Sequence, residues 1–174
     1  MRKIIQTISS IFFVRYFVKL ILNIKSFFDR IWSNLKFKSL VKNSGDSTCH
    51  YSTEIKFGEN IRIGNNSRIG PNCTLGAKGS IVIGDNVVVS KNVTIETAGL
   101  DYKTGPSSNH SHKYSPITIE SGVWLASNVI ILGGVTIGKN SIIGAGVVLT
   151  QNVEPNSLIS DHAYPRLLDL NILS

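Results

Sequence analysis

At 174 residues with two cysteines and a mean hydropathy of +0.12, the chain suits one compact domain plus an appendage and leaves no room for a second catalytic domain. Cys49 and Cys73 are too few for a disulfide framework, so a reducing cytoplasm is the simpler expectation. The net charge of +7 sits almost wholly in residues 1–42, where nine Lys and Arg face Asp29 alone, and this argues against nucleic-acid binding by the rest of the chain.

Residues 1–45 come first and are apolar with helical periodicity. Arg15, Lys19, Asn23, Ser26 and Arg30 fall at three- and four-residue steps, which predicts basic amphipathic helices with one polar stripe. Charges break every apolar run before the ~20 residues of a spanning helix, and no small-residue cleavage site follows an uninterrupted apolar core. Two placements are open. The segment lies peripherally on the inner face of the cell membrane through residues 1–42, aromatics in the interface and Lys/Arg on anionic head groups. Alternatively it forms a helical pair packed on the body or on a neighbouring subunit. Asn43-Ser44-Gly45-Asp46-Ser47 is a polar break and the expected boundary. His50, just beyond it, is expected to be a surface or capping histidine.

From 46 to 160 the aliphatic residues recur every six. Phe57, Ile63, Ile69 and Leu75 lead, and an eight-residue step to Ile83 implies a two-residue insertion near Lys78-Gly79. Val89 and Ile95 follow, then Ile119, Leu125, Ile131, Ile137, Ile143 and Leu149 without a slip. A second track trails each of these last six by four residues, from Val123 through Ser141 to Val153. Neither the helical period nor the strand period of two gives a strict six; a chain that turns a corner every six residues does. Three such sides close a triangular turn, with Asn and Gly at corners that need positive φ. The period is lost between 97 and 116, an inserted loop of a length that is usually functional, and residues 161–174 form a C-terminal tail.

The units Ile-Gly-Asn-Asn-Ser-Arg, Ile-Gly-Asp-Asn-Val-Val and Val-Thr-Ile-Gly-Lys-Asn-Ser-Ile-Ile-Gly-Ala-Gly-Val-Val resemble the hexapeptide-repeat acyltransferases. The resemblance implies a mainly β fold, a left-handed parallel β-helix, preceded here by an α-helical segment. It also implies acetyl-CoA as co-substrate without a metal, a homotrimer, and sites between adjacent prisms. Relatives of the sugar acetyltransferase type carry their catalytic His in a Thr-Ala-Gly-His or Thr-Gly-x-His-Asp-Tyr phrase. This chain has Thr97-Ala98-Gly99-Leu100-Asp101-Tyr102, with Leu100 in the histidine's place. Leucine takes no proton, so either the base has moved along the loop or the family reaction is lost.

His112 is the first candidate for the moved base, His110 the second, and Asp101 or the other histidine would orient it. Histidine suits the role because its ordinary pKa lies near neutrality. On the donor side Ser121-Gly-Val-Trp-Leu-Ala-Ser-Asn128 is similar to the family's Gly-Val-Trp-Ile-Gly phrase. The resemblance assigns Trp124, Ala126, Ser127, Gly144 and Ala145 to the coenzyme arm, and Gln151 and Arg166 to the end bearing its phosphates.

The reading is an O-acetyltransferase on a carbohydrate or lipid-linked saccharide of capsule, exopolysaccharide or lipopolysaccharide assembly. An N-acyltransferase on an amino sugar, a metal hydratase resembling the γ-class carbonic anhydrases, and a non-catalytic scaffold are its rivals. Three histidines would have to converge for the hydratase.

Overall fold

A computed structural model describes residues 2–100, 112–160 and 168–169. A single helix, α1 (Arg2–Leu40), replaces the expected pair. The stripe from Arg15 to Arg30 does not divide a packed face from a wet one, because residues 11–28 are exposed on every side. Only the end of the helix is docked. Phe37 is 1% exposed and Val41 fully buried, both in the common core, and Lys36 Nζ donates to the Tyr51 and Thr53 carbonyls at 2.8 and 2.7 Å.

The body is a parallel β-solenoid with three faces. On the seven-stranded face Cys49, Ile69, Val89, Leu125, Ile143 and Ile159 stand in register, one per coil. On the five-stranded face the column is Ile55, Leu75, Ile95, Ile131 and Leu149. On the four-stranded face it is Ile63, Ile83, Ile119 and Ile137, with Val153 bridging to Ile137. Strands of two or three residues suffice because each inward aliphatic is capped above and below by its column neighbours. Burying one such side chain is worth roughly 1.5–3 kcal/mol, and the columns fill the prism.

The second track lies at the corners and is buried from Val123 to Val153. Ser141 belongs there for a polar reason, its Oγ donating to the Glu154 carbonyl at 3.0 Å and accepting the Ser157 N–H at 3.2 Å. Asn66, Asn72, Asn86, Asn92, Asn128, Asn140 and Asn156 turn corners with φ of 55–62°. Asparagine tolerates that conformation better than other side chains. Its amide also reaches the next coil, as in Asn66 Nδ2 to Asn86 Oδ1 at 2.7 Å.

Three irregularities fall on one corner, between the five- and four-stranded faces. The steps from Ile55 to Ile63 and from Leu75 to Ile83 each carry two extra residues, and the step from Ile95 to Ile119 carries the long insertion. Phe57 is therefore not an inward repeat residue. Ile55 takes that place, and Phe57 stands outward, 45% exposed, with φ of 57°. The polar stretch expected as a boundary builds the first corner: Asn43 bridges to Arg62 and Ser47 Oγ donates to the Gly64 carbonyl at 2.6 Å.

Cys49 and Cys73 are free and buried, and desolvation pushes the Cys49 thiol from its ordinary 9.0 to about 11. A raised thiol pKa keeps the folded state protonated while the unfolded chain ionises, so stability is retained below pH 9.0 and lost as pH rises toward about 11. The loss amounts to about 2–3 kcal/mol at ~1.4 kcal/mol per pH unit. Denaturant midpoints measured across that interval should fall, and Cys49→Ala should flatten the fall. In the native state at neutral pH, neither thiol should react promptly with a disulfide reagent.

Candidate active site

The insertion leaves the solenoid at Thr97, whose position is fixed on two sides. Its Oγ1 donates to the Gly76 carbonyl at 2.7 Å and accepts the Gly79 N–H at 2.9 Å, and its carbonyl receives the Ser115 N–H at 3.0 Å. Gly133 lies directly against this root, where an added Cβ would meet the Thr97 carbonyl oxygen at 2.6 Å. From there the described ends of the insertion form an antiparallel ribbon, Ala98–Leu100 against His112–Tyr114.

The register of that ribbon is decisive for the base. His112 pairs with Leu100, Lys113 with Gly99 and Tyr114 with Ala98. Residues directly opposed across an antiparallel pair carry Cβ atoms about 5 Å apart. The returning strand thus sets an imidazole beside the position where the family phrase would have its own. His112 is exposed, and its ring lies 6.3 Å from that of Tyr114 at 17°.

Two clefts flank the ribbon. One, of about 250 Å³, is lined by His112, Tyr114, Glu96, Lys78, Lys56 and Phe57. Lys78 Nζ stands 4.7 Å from the Tyr114 ring and 6.0 Å from that of Phe57, so the two short insertions hold the ribbon from below. Glu96 Oε1 accepts the Ala98 N–H at 3.0 Å, and its carboxylate fills the space over Gly76 that any side chain there would take. The other cleft, of about 490 Å³, runs toward the C-terminal coils past Leu100, Lys113, Leu132, Gly133 and Thr150. Sequence reasoning noticed the Lys78-Gly79 insertion as a spacer but missed Phe57, Lys78 and Glu96 as cleft residues. Their signal was the shared corner, which appears only once the columns are aligned.

The residues assigned to the donor side do not all meet. Trp124 is on the seven-stranded face, 50% exposed and not core, with Nε1 donating to Ser90 Oγ at 3.3 Å. Ala126 and Gly144 follow on that face, and Ser127 and Ala145 share the corner toward the five-stranded face, where Gly146 N–H donates to the Ser127 carbonyl at 2.9 Å. Gln151 sits at the next corner round, beside Thr150 and the larger cleft. His110, Asp101, Arg166 and also His162 lie outside the described residues. His50 caps its own turn, Nδ1 accepting the Ser52 N–H at 3.2 Å. Among the described residues no three His, Cys, Asp or Glu converge in a way that could hold a metal ion.

Two hexapeptide families match the repeats themselves, the bacterial transferase hexapeptide (six repeats) over residues 116–151 and the hexapeptide repeat of succinyl-transferase over 60–97. A hexapeptide-repeat-containing acetyltransferase from Vibrio cholerae superposes with a TM-score of 0.74 at 30% identity, covering 82% of this chain and 81% of that one. The chain belongs to the hexapeptide-repeat acetyltransferases. A maltose O-acetyltransferase from Clostridium difficile is similar to this acetyltransferase at 30% identity and a TM-score of 0.68, over 76% and 71% of the two chains. A galactoside acetyltransferase solved with coenzyme A shares 33% identity at a TM-score of 0.70, over 78% and 68%. No curated protein sequence matches it. Both family matches stop at the inserted ribbon, so two clefts lie where this acetyltransferase departs from the repeat.

Proposed function

We propose that the protein is an acetyl-CoA-dependent O-acetyltransferase acting on a carbohydrate, with His112 as general base. The pairing of His112 with Leu100 carries this reading, because it restores an imidazole where the family phrase has lost one. In the proposed step His112 removes the proton of a sugar hydroxyl, whose oxygen attacks the thioester carbonyl. The C–S bond of the tetrahedral intermediate then breaks, the imidazolium returns the proton to sulfur, and acetyl ester and coenzyme thiol leave. Asp101 or His110 orients the imidazole.

The acceptor occupies the cleft beneath His112, where aromatic faces and polar ends are combined. Acetyl-CoA approaches along the corner of Ser127 and Ala145, whose small side chains admit a pantetheine arm. Those two corners are separated by a whole face, roughly 20 Å for six residues at about 3.3 Å each. The resemblance to the family implies a homotrimer, in which one chain's ribbon meets its neighbour's coenzyme corner. Helix α1 lies against the cytoplasmic face of the membrane and places the enzyme near a lipid-linked saccharide. No helix among the described residues is long and apolar enough to cross a membrane.

Incubation with acetyl-CoA and a panel of neutral, amino and lipid-linked saccharides, followed by coenzyme thiol release, tests the reaction. Ester formation on a hydroxyl supports it, amide formation on amino sugars points to the N-acyltransferase, and no coenzyme binding in calorimetry removes it. The shared site has its own test. His112→Ala and Ala145→Trp should each be inactive alone, and co-expression of the two should restore a working site in every mixed assembly. Continued inactivity of purified mixed assemblies would contradict a site built from two chains.

A further inference from the structure

Between helix α1 and the seven-stranded face lies a third cleft, of about 380 Å³, on the far side of the solenoid from the ribbon's corner. At about 30 Å³ per water it holds roughly a dozen. Its two walls each contribute an arginine, Arg30 from the helix and Arg68 from the strand Arg68–Ile69. No carboxylate lines it, and the one ion pair among the described residues is Glu54–Lys56, remote from both arginines. Two like charges held across a gap repel unless an anion sits between them.

The remaining lining adds further donors. Ser33 and Asn34 add side-chain donors from the helix wall. His50 adds another, because its Nδ1 accepts the Ser52 N–H and the neutral ring then carries its proton on Nε2. Ile69 and Val89 border it with their side chains turned into the core. This donor set exceeds what the two oxygens of a carboxylate can engage, whereas a phosphate offers a tetrahedral array suited to paired guanidiniums.

We propose that this cleft binds a phosphate ester, its oxygens held by Arg30 and Arg68. The ester is either a soluble sugar phosphate or the head group of a lipid. In the second case α1, exposed and apolar beyond the cleft, runs on into the lipid.

The probes are glucose 1-phosphate in calorimetry and flotation with vesicles of phosphatidylcholine alone or mixed equally with phosphatidic acid. Wild-type protein is compared with Arg30→Ala, Arg68→Ala and a charge control away from α1, Lys139→Ala. Each arginine variant should bind the phosphate-bearing probe about tenfold more weakly, as expected for a charge-assisted hydrogen bond, and the control should change little. Binding of the soluble probe identifies a sugar phosphate; binding of the acidic vesicles alone identifies a head group. If Arg68→Ala binds both probes as wild type does, or loses no more than Lys139→Ala, the cleft is not a phosphate site. A wild type that binds vesicles while the arginine variants bind them equally well overturns this inference but spares the membrane placement. Binding of the soluble probe with no vesicle binding does the reverse. Acetyl transfer to soluble saccharides should be unchanged in both arginine variants, which keeps the site separate from the chemistry.

Discussion

His112→Ala is expected to lower acetyl transfer by about 10²- to 10⁴-fold, the range a positioned general base supplies. The loss should fall on kcat, with coenzyme affinity little changed, because His112 acts on the acceptor hydroxyl while the Ser127–Ala145 corner holds the coenzyme arm. His110→Ala should cost less. The stronger form of the test adds Leu100→His to His112→Ala. Since the two positions are opposed in the ribbon, a histidine returned to position 100 lies about one cross-strand spacing from the lost one and should recover part of the rate. Leu100→His in the wild-type background should change little, as the base is already present. Unaltered turnover in His112→Ala, His110→Ala and the double variant would sink the assignment of a histidine base on this loop.

The columns were legible because their period is a direct record of geometry. Each inward aliphatic from Ile119 to Leu149 is buried; a step of six moves it to the next face, and a step of eighteen, as from Ile119 to Ile137 or Ile131 to Leu149, returns it to the same column. Phe57 shows where the same reasoning fails. It kept the six-residue count with Ile63, but the count ran across an insertion, and the hydrophobic that fills the prism is Ile55, two residues earlier. A period constrains phase only between insertions. The loop was legible as an interruption, yet the pairing of His112 with Leu100 was not, since a hairpin's register depends on the residues between its strands. The donor-side residues were named from sequence phrases, and phrases do not say which corner of a prism they occupy. Only the aligned columns separate Ser127 and Ala145 from Gln151. Helix α1 misled for a different reason. An apolar helix with a polar stripe promises a packed face, and here the packing is confined to its last turns.

That confinement makes Phe37 the residue on which the first coil depends. An open solenoid end presents unpaired backbone groups and an uncovered apolar column, both of which invite edge pairing with another chain. Phe37, 1% exposed, covers the column, while Lys36 takes the Tyr51 and Thr53 carbonyls. Phe37→Ala should therefore cost about 3–5 kcal/mol, the range for emptying an aromatic site in a core. Against a typical total of about 5–15 kcal/mol, such a loss is large enough to appear as a marked drop in denaturant midpoint. Phe27→Ala and Phe28→Ala provide the contrast. Their side chains are 60% and 62% exposed, so each should stay within about 0.5 kcal/mol of wild type. If all three variants unfold together with wild type, α1 is not the cap of the solenoid. If Phe37→Ala alone falls, the helix has two separable parts: a docked end that closes the coil, and an exposed length that adds little to the stability of the solenoid.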